Sequence, residues 1–156
     1  MKKIALILSL VLIFGCKSKS VIQEPAKPKI VKISLSDVDD SQKSKAYELG
    51  KRILMTCNTS KFKPFNSTEA TPSVIKNMTQ ERLTKTCLKF RLRYGDFNDL
   101  QLVEVFKDNN DNTTLYRYKA LYEKKIANKE LRVSLNKQNQ ISAVKSLDWI
   151  DTFQNN

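Results

Sequence analysis

Arg91-Leu92-Arg93-Tyr94-Gly95-Asp96-Phe97-Asn98-Asp99-Leu100-Gln101-Leu102 is where the hydrophobic period of this chain changes. Upstream, Leu83, Cys87, Phe90 and Tyr94 recur at helical spacing and mark one face of a helix. Gly95 sits where a left-handed terminator belongs, because glycine carries no Cβ penalty there. Downstream the period falls to two, the signature of a half-buried strand. A chain that is helical before one glycine and extended after it is an α+β chain, with helices packed on one face of a sheet.

Working forward, Leu100 to Lys107 reads as a strand and Asp108-Asn109-Asn110-Asp111-Asn112 as a hairpin loop. Thr113 to about Lys125 is a long second strand. Asn128 helps turn the chain into Leu131, Val133 and Leu135, and Asn136 to Gln140 turns it into Ile141, Ala143, Lys145, Leu147 and Trp149. The expectation is a four-stranded antiparallel meander.

Working backward, Thr79 caps the helix that ends at Tyr94, with Glu81 in its first turn. Pro72 starts a short helical turn carrying Val74 and Ile75. Phe62 and Phe65 flank Pro64 in a connecting loop. Ser36 or Asp39–Asp40 caps a first helix, whose Ala46, Leu49, Gly50, Ile53, Leu54 and Cys57 form an apolar stripe ended by Asn58-Thr59-Ser60. The folded domain is expected over residues 37–153.

Residues 16–36 carry Lys, Ser, Gln and two prolines with little core material, and read as a flexible tether. Val31-Lys32-Ile33-Ser34-Leu35 does alternate, so a short edge strand is the alternative there. Before the tether, Lys2 and Lys3 precede an apolar run, Ile4 to Gly15, too short to cross a bilayer as a helix. A charged start and a short apolar core read as a signal peptide over residues 1–15. The following Ile13-Phe14-Gly15-Cys16 resembles the lipobox of bacterial lipoproteins, although Phe14 is bulkier than usual. The resemblance implies lipidation of Cys16, cleavage before it, and stable anchoring by two or more acyl chains. Lys17, rather than aspartate, follows that cysteine, so the expected address is the outer membrane of the cell envelope.

The full chain of 156 residues carries a formal charge of +12, which becomes +10 once Lys2 and Lys3 leave with the signal. Anionic lipid, lipopolysaccharide or an envelope protein are the partners this charge suits. Arg82, Lys85, Lys89 and Arg93 form a basic stripe on the helix before Gly95, away from its apolar face. Nucleic acid ranks last for an exported, membrane-tethered chain. Cys57 and Cys87 are left over after lipidation; they form either one disulfide or two buried thiols.

No cofactor or metal is expected. Two thiols without a single histidine leave a zinc shell incomplete. The Asp108–Asn112 loop lacks the spacing, glycine and distal glutamate of a calcium loop.

The order of helix, Phe-Pro-Phe loop, short helix, Tyr94-Gly95-Asp96-Phe97 and meander resembles the nuclear-transport-factor-2-like roll, or the related cystatin-like roll. Met78-Thr79 and Leu131-Arg132-Val133-Ser134-Leu135 fall in matching places. The resemblance covers about residues 40–150. It implies a curved sheet wrapped against helices, often around an apolar pocket, in enzymes, binders and assembly domains alike, so it does not choose a function.

Enzymes of that fold commonly place a histidine, aspartate or tyrosine in the pocket, and this chain has no histidine. Glu104 shares a strand face with Leu100, Leu102 and Phe106, so it could enter a pocket with a raised pKa. Tyr116, Tyr118 and Tyr122 project from one face of the next strand, suiting a small amphipathic ligand or, equally, a packed core. The reading is a non-catalytic binding or assembly module. The alternative is a pocket protein for an amphipathic ligand, or an unrecognised enzyme.

Overall fold

The structure, a computed structural model, describes residues 29–155. The leader, the Cys16 lipidation site and the first part of the tether lie outside the described residues. Strand β1 (Ile30–Ile33) is followed by a 3₁₀ turn (Leu35–Asp37), then α1 (Asp40–Thr59), α2 (Pro72–Asn77) and α3 (Gln80–Tyr94). Four further strands complete the domain: β2 (Phe97–Asp108), β3 (Thr113–Tyr122), β4 (Lys129–Leu135) and β5 (Ile141–Asp148). They form one antiparallel sheet in the order β1-β2-β3-β4-β5.

The class is α+β, with five strands where four were expected. The additional strand comes from the stretch assigned to the tether. Ile30 pairs with Asp108 and Ile33 with Val105, so β1 completes the backbone bonding of β2, which would otherwise be an open edge. At the other end of the expected strands, β3 stops at Tyr122 rather than Lys125. There Glu123 N–H donates to the Asp96 carbonyl and Lys124 N–H to that of Tyr94, which turns the chain onto the end of α3.

The helix boundaries follow from local chemistry. The Asp39 carboxylate accepts from Gln42 N–H at 2.9 Å and caps α1, while Ser60 ends it in the left-handed region at φ 55°. Thr79 caps α3 by accepting from Arg82 N–H. Gly95 ends α3 at φ 78°, ψ −161°, a region open essentially to glycine alone. A Cβ there would also meet the Glu123 carboxylate at 2.6 Å.

The core lies between the helices and the inner face of the sheet. Leu49, Ile53 and Leu54 of α1 share one buried cluster with Leu131, Val133, Tyr116 and Tyr118 of the sheet, each aliphatic contributing about 1.5–3 kcal/mol on burial. Gly50 permits the close approach: a Cβ at that position would lie 3.1–3.2 Å from Leu131, Leu100 and Val133. Cys57 of α1 and Cys87 of α3 are joined by a disulfide with Cα atoms 4.5 Å apart.

An irregularity in β2 decides which residues face the core. The pairing with β3 shifts register between Leu102 and Glu104. One residue of slip sends every later side chain to the opposite face. Leu100 and Leu102 therefore lie opposite Ala120 and Tyr118 on the inner face, whereas Glu104 and Phe106 lie opposite Arg117 and Leu115 on the outer one. Glu104 does not share a face with Leu100 and Leu102, contrary to the unbroken alternation.

Candidate functional site

Outward-facing positions of a sheet are ordinarily wet, yet here the outer face buries three charges and largely covers a fourth. Arg117 of β3 and Glu130 of β4 have no solvent exposure, Arg132 of β4 has 3%, and the Glu104 side chain has 15%. Ionised groups removed from water cost several kcal/mol each unless they are paired and hydrogen-bonded. The arrangement meets that demand. Arg117 donates through Nη1 to Glu104 Oε2 at 2.6 Å and through Nε to Glu130 Oε2 at 2.7 Å. Arg132 Nε donates to the second Glu130 oxygen, and Lys32 of β1 donates to Glu104 Oε1 at 2.7 Å.

Burial alone would raise the pKa of Glu104, but the hydrogen bonds from Lys32 and Arg117 outweigh it and hold the carboxyl below its ordinary value. The same carboxylates raise the Arg117 guanidinium against its own desolvation. The raised-pKa expectation for Glu104 is thus reversed, because two cations reach it.

The cover is the C-terminal segment after β5, residues 149–155. Trp149 lies over the Arg117 guanidinium at 4.1 Å, and Phe153 over that of Arg132 at 4.6 Å. Phe153 also stacks on Phe106 with ring centroids 3.9 Å apart. Arg117 Nη2 donates to the Ile150 carbonyl and Arg132 Nη1 to that of Gln154 at 2.7 Å. Two guanidiniums and three rings hold this strap on the sheet.

Beside the strap the outer face stays open as a groove of about 490 Å³, within the size range of small-molecule sites. Phe106 and Leu115 contribute apolar surface, Thr113, Ser134 and Ser142 contribute hydroxyls, and Arg132 and Asp108 bring opposite charges. A second, apolar cleft of about 170 Å³ lies between α1, α3 and β4–β5 beside the disulfide. It is too small for that range.

The tyrosines lie elsewhere. Tyr116 and Tyr118 have no exposure and Tyr122 has 9%, all three being core under the helices. Tyr122 packs among the rings of Phe90, Tyr94 and Phe97. Burial pushes the Tyr116 phenol up to about 12 and raises Tyr118 and Tyr122 further. Tyr116 Oη donates to Gln42 at 3.2 Å, whereas the hydroxyls of Tyr118 and Tyr122 are buried without a partner. These three and Glu104 do not form one site; the sheet separates them.

Arg82, Lys85, Lys89 and Arg93 are all exposed on α3. Arg82 donates to Asn77, Lys85 pairs with Glu81, and Arg93 lies over the Tyr94 ring. Among the described residues no group of three or more His, Cys, Asp or Glu could hold a metal ion, and no helix is long and apolar enough to cross a membrane. Sequence reasoning missed Glu130, Arg132 and the strap. The alternation of Glu130, Arg132 and Ser134 against Leu131, Val133 and Leu135 was visible, but it reads as a wet face until something is known to cover it.

Comparison with protein-family models, with curated proteins and with solved structures finds no match for this chain.

Proposed function

We propose that the chain is a lipid-anchored protein of the cell envelope, most simply the outer membrane, whose domain is a non-catalytic binding or assembly module. The lipobox-like Ile13-Phe14-Gly15-Cys16 supports the anchor. The fold we infer is the cystatin-like roll of the resemblance, here with an edge strand before the helices and a four-strand meander after them.

One observation carries the choice of binding over catalysis: the disposition of Glu104. It is the carboxylate best placed by sequence for acid–base work, and it is bridged between Lys32 at 2.7 Å and Arg117 at 2.6 Å. A carboxylate held ionised by two cations is a poor proton donor near neutral pH. The amphipathic-ligand alternative loses its support, because Tyr116, Tyr118 and Tyr122 are packed core. The binding face that remains is the outer groove, with its hydroxyls and mixed charge.

A photo-crosslinking residue at the exposed Ala143, which borders the groove, tests this in cells. The expected result is a discrete adduct with one envelope component, absent when the same residue replaces exposed Lys63. Identical adduct patterns from both positions would contradict it.

A further inference from the structure

The outer face of α3 carries apolar side chains that the fold leaves uncovered. Leu88 is 63% exposed and Leu92 72%. Four residues apart, they lie on one side of the helix, opposite the buried Cys87 and Tyr94. Lys85 and Lys89 flank them at the same spacing, and Arg82 and Arg93 lie further round. The β3–β4 turn extends the patch: Lys124 N–H donates to the Tyr94 carbonyl at 3.0 Å and Lys124 Nζ to that of Leu92 at 3.2 Å. That turn exposes Lys124, Lys125 and Ile126, the last at 72%. Half of the large exposed hydrophobics of the described residues are therefore Leu88, Leu92 and Ile126. Glu81, the acid of the same helix face, is neutralised by Lys85 at 2.8 Å.

We propose that this face of α3, with the β3–β4 turn, is a second membrane contact that seats the domain on an anionic phospholipid surface. Leucines flanked by lysines and arginines are what an in-plane interfacial helix presents: cations meet lipid phosphates while the apolar side chains enter the acyl boundary. A soluble polyanion would satisfy the cations and leave Leu88, Leu92 and Ile126 in water. A bilayer satisfies both.

The inference rests on the membrane-anchored reading, and the chain lengths agree with it. The tether enters at the hairpin end of the sheet, where Asn109 N–H donates to the Lys29 carbonyl at 2.8 Å. The α3 terminus adjoins the start of β2, and the twelve residues of β2 span about 40 Å. Residues 16–29 extend to at most about 45 Å, enough for Cys16 and the α3 face to reach one membrane.

The test uses the full acylated chain carrying Leu92→Trp, reconstituted into phosphatidylglycerol–phosphatidylcholine vesicles with plain or interfacially brominated acyl chains. Flotation and the mass of the N-terminus report the anchor separately. The expected result is a blue-shifted emission quenched by brominated lipid, with Trp149 of the unsubstituted protein unaffected. Adding Lys85→Glu and Lys89→Glu reduces the quenched fraction at least about tenfold, since each basic residue is worth roughly a fivefold change in partitioning, while flotation persists. Emission that is the same on plain and brominated anionic vesicles overturns the proposal even if the protein floats. Equal quenching on pure phosphatidylcholine overturns its electrostatic part. A chain that is unacylated by mass and does not float on pure phosphatidylcholine vesicles, yet is quenched on anionic ones, overturns the anchor and leaves this contact standing.

Discussion

Glu130 stands between two guanidiniums, and its removal exposes what the outer face costs. Glu130→Ala leaves Arg117 and Arg132 buried with their principal counter-charge gone, and should lower stability by about 3–5 kcal/mol in urea unfolding. A loss below about 1 kcal/mol would show that water already reaches those guanidiniums. Tyr118 is the opposite case. Its hydroxyl is buried without a partner, so Tyr118→Phe removes an unsatisfied group at almost constant shape. We expect a gain of roughly 1 kcal/mol in the same measurement, and a clear loss would mean that the hydroxyl has a partner in solution. At Gly95 any side chain meets both a positive φ and the Glu123 carboxylate, so Gly95→Ala should cost about 1–3 kcal/mol.

At the scale of elements, the disulfide and the strap are the two ties. Cys57–Cys87 closes a loop of sequence separation 30 and fastens α1 to α3. Loop-closure entropy puts its worth at about 3–4 kcal/mol, read as the stability lost in the double Cys→Ala variant. The strap is held through Phe153, which bridges Phe106 and Arg132, and Phe153→Ala should lose roughly 2 kcal/mol. Much of this level was legible beforehand. Asp39 and Thr79 cap as their side chains require, and Gly95 divides helix from strand because only glycine takes its φ and ψ. Strand β1 was less legible, since four residues in a Lys- and Pro-bearing stretch carry too little pattern without knowledge of the β2 edge they cover. The β2 bulge was not legible at all. Leu102 and Val103 are adjacent apolar residues and Glu104 breaks the phase of Leu100 and Leu102, but Phe106 resumes that phase, so the break reads as one charged residue within an unbroken strand rather than as a change of face. The burial of Arg117, Glu130 and Arg132 depends on a segment distant in sequence, and strand pattern does not encode it.

At the scale of the molecule, pH probes both halves of the architecture. Glu69 is held below its ordinary pKa by paired hydrogen bonds from Arg52, and Glu104 is held below its own by Lys32 and Arg117 against the effect of burial. A lowered folded pKa gives stability that is complete above the unfolded value of about 4.3 and is lost as pH falls through the folded one, so unfolding should ease below about pH 4. The buried phenols act at the other end. Their raised pKa values give stability that is complete below about pH 10 and falls as pH rises through the folded values, about 12 for Tyr116. Phenolate absorbance from Tyr116, Tyr118 and Tyr122 should therefore appear only well above pH 10, as the protein unfolds. A single titration near pH 10 in the folded protein would contradict the packed core.

The proposed anchor at Cys16 would hold the domain, with its groove and its basic, leucine-bearing helix, at a membrane. The intact mass of the protein isolated from its own envelope tests that most directly. The account predicts a chain beginning at Cys16 and carrying diacylglyceryl and amide-linked acyl groups. A chain with unmodified Cys16, or one beginning at Val21, would contradict it.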